Sequence, residues 1–162
     1  FPYTTLFRSR LIASVVVAAA VALGTSGCAM LSPQSTTIQY SPADGLNVPA
    51  SSGPLAVRNA LVVANDEGTE GNFVAAIVNE SDSSQVLNLE VGENAVKLTV
   101  RVPAGDTVSL GTEDTDPLLI ENLDARPGST VPIFFQSGDG EGARVEIPVL
   151  NGDLDYLTPL AP

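Results

Sequence analysis

Apolar and polar residues alternate with a two-residue period along most of the chain after Leu55. The stretch from Ala95 to Val102 shows this most cleanly. Val96, Leu98, Val100 and Val102 fall on one side, and Lys97, Thr99 and Arg101 on the other. That period predicts a strand with one buried and one wet face. Gln85 to Val91 behaves likewise, with Leu87, Leu89 and Val91 opposite Val86 and Asn88. Ala143, Val145, Ile147 and Val149 predict the inward face of a last strand. Val131, Ile133 and Phe135 do the same for Thr130 to Gln136. Pro132 has no N–H to give a ladder, so that strand is expected at an edge or bulged. Asn72 to Val78 is almost continuously apolar and predicts a central strand covered on both sides. Leu55 to Ala64 is apolar except at Arg58 and Asn59. Thr107 to Leu110 and Leu118 to Ile120 add short strands. Asn65-Asp66-Glu67-Gly68, Pro103-Ala104-Gly105-Asp106, Arg126-Pro127-Gly128-Ser129 and Gly138 to Gly142 supply turn chemistry between them. No helical period is sustained after Cys28. Many short strands at regular spacing predict an all-β fold, an Ig-like or cupredoxin-like Greek-key sandwich.

The amino-terminal pattern is different. Arg8 and Arg10 precede an apolar run from Leu11 to Leu23, followed by Gly-Thr-Ser-Gly-Cys. The run is about half what a spanning helix needs. A basic start, a short apolar core and small residues before a cut predict a signal-peptide helix over 10–27. The stretch ending at Cys28 resembles a bacterial lipobox, although Thr25 stands where an aliphatic residue is usual. The resemblance implies cleavage between Gly27 and Cys28 and lipidation of Cys28, with acyl chains such as palmitate. More than one chain gives stable anchoring. The protein is therefore expected to be extracytoplasmic and held to the membrane by the lipid on Cys28. Residues 1–9 lack an initiator methionine and resemble a translated sequencing-adapter fragment, so they are set aside as a sequencing artefact. Residues 28–54 are expected to form a spacer, a first short strand at Thr36 to Tyr40 and a long connection. Residues 55–150 form the sandwich core, and 151–162 a tail whose Tyr156, Leu157 and Leu160 are able to dock back.

Composition narrows the function. The part after Gly27 has 135 residues, enough for one core. It holds all nineteen acidic residues and five of the seven basic ones, a formal charge of −14. Nucleic acid, which needs a basic footprint, is excluded as a partner. Cys28 is the chain's only cysteine, so no internal disulfide forms.

Val102-Pro103-Ala104-Gly105-Asp106-Thr107-Val108-Ser109-Leu110 and Leu123-Asp124-Ala125-Arg126-Pro127-Gly128-Ser129-Thr130-Val131-Pro132-Ile133 form a pattern with Ala56 to Ala60 and Ala75 to Asn79 upstream. Together, over roughly Leu55 to Val149, these resemble the PCu(A)C periplasmic copper-chaperone domain and its relatives among LpqE-like lipoproteins. The resemblance implies a cupredoxin-like Greek-key sandwich. It does not carry over copper. That family uses methionine and histidine, soft donors suited to copper. This chain has no histidine, and its only methionine is Met30. The family's His-x-Met element corresponds to about Thr115 to Leu119, which reads Thr-Asp-Pro-Leu-Leu.

Other chemistry is sparse. Catalysis that needs histidine is excluded, and Lys97 sits on a wet strand face. Glu113, Asp114 and Asp116 share a loop, Asp139 and Glu141 flank glycines, and Asn151, Asp153 and Asp155 alternate. Such oxygen donors suit calcium, but the EF-hand glycine and distal glutamate are missing. Arg58 and Asn59 are candidates for a polar ligand contact, with Arg58 more simply expected at the sheet surface or paired with an acid, and Asn79-Glu80-Ser81 matches a glycosylation sequon. No catalytic residue, resident metal or cofactor is assigned. The sequence predicts a non-enzymatic binding or accessory module of the cell envelope, acting on an unidentified envelope protein or small ligand. Metal handling, copper-chaperone-like or weakly calcium-binding, is the first alternative. An envelope hydrolase is the second.

Overall fold

The computed structural model describes residues 12–18, 43–93 and 95–162. The chain divides into two compact units, residues 1–40 and 41–162. In the first, residues 12–18 are helical, with Ile12, Val15, Val16 and Val17 exposed. Among the described residues no helix is long and apolar enough to cross a membrane. Gly27, Cys28, Met30 and the strand expected at Thr36 to Tyr40 lie outside the described residues.

The second unit is the expected β-sandwich. Eight strands follow in order: β1 Leu55–Ala64, β2 Glu70–Asn79, β3 Gln85–Val91, β4 Val96–Val102, β5 Thr107–Leu110, β6 Leu118–Glu121, β7 Thr130–Ser137 and β8 Ala143–Leu150. They pair in the order β4-β3-β7-β8-β1-β2-β5, with β6 also on β2. One layer is β4-β3-β7-β8, all antiparallel. The other is β1, β2, β5 and β6. The layers join where the end of β8 runs parallel to β1, Val62 against Val149 and Val63 against Leu150. Pairing of strands far apart in sequence, β3 with β7, is the Greek-key feature of the sandwich. Phe73 of one layer and Phe135 of the other meet in the core, ring centroids 6.0 Å apart and tilted by 47°. Tilted pairs at this distance add about 0.5–1.5 kcal/mol beyond area burial.

The interruption in β1 is a bulge with a structural consequence. Asn59 adopts φ 51°, and the register with β2 shifts between Arg58 and Leu61. One extra residue reverses which side chains face inward. Before it Leu55 and Val57 enter the core; after it Ala60, Val62 and Ala64 do. Leu61 and Val63 are thereby turned outward, where Leu157 of the tail covers them, flanked by Val74, Leu150, Leu160 and Ala161. The strand buried on both faces is therefore the end of β1. β2, expected to be covered on both sides, alternates buried and half-buried positions instead.

Pro132 is neither at an edge nor in a bulge. β7 lies between β3 and β8, with Pro132 opposite Glu146. The Pro132 carbonyl accepts from Gly92 N–H at 2.9 Å, so its imide nitrogen also points toward the β3 side. β3 ends at Val91, and the carbonyl of Gly92, which faces Pro132 in register, accepts from Ala95 N–H at 3.3 Å in the following turn, so the missing N–H costs no ladder bond.

Candidate functional site

Arg58 and Asn59 serve the fold rather than a ligand. Asn59 Oδ1 accepts from Gly45 N–H at 2.8 Å, and Asn59 N–H donates to Asn47 Oδ1 at 3.2 Å. These bonds hold residues 45–47 along β1, where Leu46 and Ala60 exchange both backbone bonds. Arg58 is exposed and donates to its neighbour's carbonyl, that of Val57, at 3.1 Å.

Asn79, the sequon residue, is 1% exposed. Its amide donates to the carbonyls of Ser83 at 2.8 Å, Val102 at 3.1 Å and Pro103 at 2.8 Å. Its Oδ1 accepts from Ser81 N–H at 3.0 Å and Ser81 Oγ at 2.7 Å. Asn79 thus fastens the end of β2 to the end of β4, two strands with no ladder between them. A glycan cannot be attached to this buried amide in the folded domain.

The acidic groups stay dispersed. Among the described residues no three His, Cys, Asp or Glu side chains converge as metal ligands. Glu113, Asp114 and Asp116 are all exposed, and the Asn151 amide donates to Asp153. Asp139 and Glu141 lie in the loop between β7 and β8. Tyr156 Oη donates to Asp44 Oδ2 at 2.7 Å. That hydrogen bond first, then desolvation and the nearby negative charge, raise the Tyr156 pKa above its usual 10.0. Lys97 pairs with Glu90 at 3.4 Å, both solvent-exposed, an arrangement worth little in stability.

Two concavities stand out. One, of about 380 Å³, is polar and lined by Glu67, Gly68, Thr69, Asn122, Asp124, Ala125 and Arg126. The other, of about 470 Å³, is a trough on the outer face of β3, β4 and β7. Both volumes lie within the range of small-molecule pockets. The trough combines an aromatic ring, Phe134, with polar groups from Asn88, Thr99, Gln136 and Glu141. Gln136 Nε2 donates to the carbonyls of Gly138 at 2.6 Å and Gly140 at 3.4 Å. Asn88 Nδ2 in turn donates to Gln136 Oε1 at 3.1 Å. The β7–β8 loop thus locks the amide row. Gly142 packs on Phe134 so closely that a Cβ there would fall 2.1 Å from the ring.

Sequence reasoning missed Asn88, Gln136 and Phe134 as a group. Their only signal was polar or aromatic character on the wet faces of two strands. Register, which no local pattern shows, brings them side by side.

No protein-family model matches the chain, and a comparison with curated proteins finds no match. Solved structures do. The apo PmoF2 PCuAC domain is 10% identical, over 67% of this chain and 98% of that one, with a TM-score of 0.50. The copper-bound PCuAC domain from PmoF2 is 11% identical, over 65% of this chain and 98% of that one, with a TM-score of 0.48. The first of these shows a shared fold. The cupredoxin-like sandwich implied by the sequence resemblance is therefore borne out.

Proposed function

We propose that this chain is a non-catalytic binding module on a PCuAC-like frame, tethered to the extracytoplasmic face of a membrane through a lipid on Cys28. The observation that carries the binding role is the trough over β3, β4 and β7, whose amides are held in place before any ligand arrives. Preorganised groups bind without the ordering cost that flexible ones incur. The tether rests on the sequence alone: a basic start, a short apolar run and the lipobox-like end at Cys28. Cys28→Ser should move the protein from the membrane to the soluble fraction on cell fractionation. Unchanged membrane retention would remove the tether from the account.

Metal handling is the second reading, and the fold comparison supports it more directly than a module of unassigned ligand. The frame is that of a PCuAC domain, a domain also solved with copper bound. The donors of this chain do not fit that cargo. It has no histidine, its one methionine and one cysteine lie at 30 and 28, and no metal-ligating cluster forms among the described residues. Soft imidazole and thioether donors select copper, and carboxylates do not replace them. A stoichiometric, tightly held transition metal in the purified chain would make the second reading the better one.

A further inference from the structure

The trough carries enough chemistry to assign its ligand class. Register sets two rows of side chains across this face of the sheet, the trough lying over all of them but Arg144. The first runs Lys97, Glu90, Phe134, Arg144, and the second Thr99, Asn88, Gln136. In the first row the charges are matched. Lys97 pairs with Glu90 at 3.4 Å, and Arg144 with Glu93 at 3.1 Å. Among the lining residues only Glu141 is charged without an ion-pair partner. An anionic ligand would meet that carboxylate and the field of a chain with net charge −12. In the second row the Gln136 amide nitrogen donates to the Gly138 and Gly140 carbonyls. Asn88 retains its Oδ1 and its second N–H, Thr99 its hydroxyl and Glu141 its carboxylate. These free groups mix donors and acceptors and line one concavity with the half-buried Phe134.

Two neutral side chains, Asn88 and Thr99, and the Glu141 carboxylate on one surface supply donors and acceptors that match vicinal hydroxyls, which donate and accept at once. The ring offers an apolar surface to the C–H face of a sugar. A volume of about 470 Å³ accommodates a ligand larger than one sugar unit. We propose that the trough binds an uncharged glycan segment, with Asn88, Thr99 and Glu141 bonding its hydroxyls and Phe134 stacking against a pyranose face. This inference rests on the binding-module reading above.

Side-chain amide resonances of Asn88 and Gln136 in the full chain report on it directly. The probes are neutral trisaccharides of glucose, galactose and N-acetylglucosamine, each titrated to roughly millimolar concentration. A basic tripeptide and an acidic tripeptide serve as controls. The expected result is saturable shifts of both amides with at least one sugar, weakened about tenfold by Asn88→Ala and by Glu141→Gln. Both variants change exposed side chains, and circular dichroism checks that they fold. Shifts with a tripeptide and none with the sugars would overturn the glycan assignment and leave the binding module standing. No shift with any probe would overturn both.

Discussion

Replacing Asn79 by alanine removes the side-chain amide that fastens the end of β2 to the end of β4. The substitution breaks amide bonds to Ser83, Val102 and Pro103 and leaves the Ser81 N–H without its acceptor. Each such bond is worth about 0.5–1.5 kcal/mol net, and groups left buried without a partner cost more. Solvent reaches part of the site, since Ser83 and Pro103 are exposed. A loss of about 3 kcal/mol follows, or roughly 12 °C in Tm at about 4 °C per kcal/mol for a domain of this size. Urea unfolding of the purified chain, followed by far-UV circular dichroism, measures it. Asn79→Asp separates hydrogen bonding from packing. A carboxylate at the amide position faces three carbonyls and has no hydrogen to give them. When protonated it donates once, so folding and desolvation raise its pKa above the ordinary value of about 3.9. A raised pKa gives stability that is full below the unfolded value and lost as pH rises through the folded one. Asn79→Asp should therefore lose more stability at pH 7 than at pH 4, relative to the parent at each pH. An Asn79→Ala variant within about 0.5 kcal/mol of the parent would refute the reasoning.

The tail gives a second test. Leu157→Ala empties the cluster over Leu61 and Val63 and should cost about 2–3 kcal/mol, with faster proteolysis after residue 150. Wild-type resistance in the variant would mean that Leu157 does not hold the tail on the outer face. A third prediction concerns the Tyr156–Asp44 bond. Tyrosinate absorbance should show one tyrosine titrating above the usual value, and Asp44→Asn should lower that midpoint. Because the folded value is raised, the bond contributes below pH 10 and is lost as pH climbs past the folded value. An unmoved midpoint in Asp44→Asn would show that the pair does not form.

Strands were legible because burial of one sheet face imposes a two-residue period. β3, β4, β7 and β8 follow it residue by residue. Where the period failed, a local event had shifted it. Arg58 is the exposed surface residue that the simpler reading expects, whereas Asn59 is the bulge that turns Leu61 and Val63 outward. The apolar outer side of β1 makes sense only once the tail lies on it, and that contact spans almost a hundred residues. Pro132 misled for a related reason: a proline is tolerated inside a sheet wherever the neighbouring strand has already ended. The sequon at Asn79 was visible as three letters, whereas its burial depends on the β4–β5 turn. The trough is the clearest case. Asn88, Phe134 and Gln136 are unremarkable singly, and only the β3–β7 register brings them together.

On the proposed reading the sandwich binds its ligand without copper. Titrating the purified chain with Cu(I) against a competing chelator, with metal content read by elemental analysis, tests this most directly. The account predicts no copper retained after competition, as expected of a chain with no histidine and a single methionine. One equivalent of copper held against the chelator would contradict it.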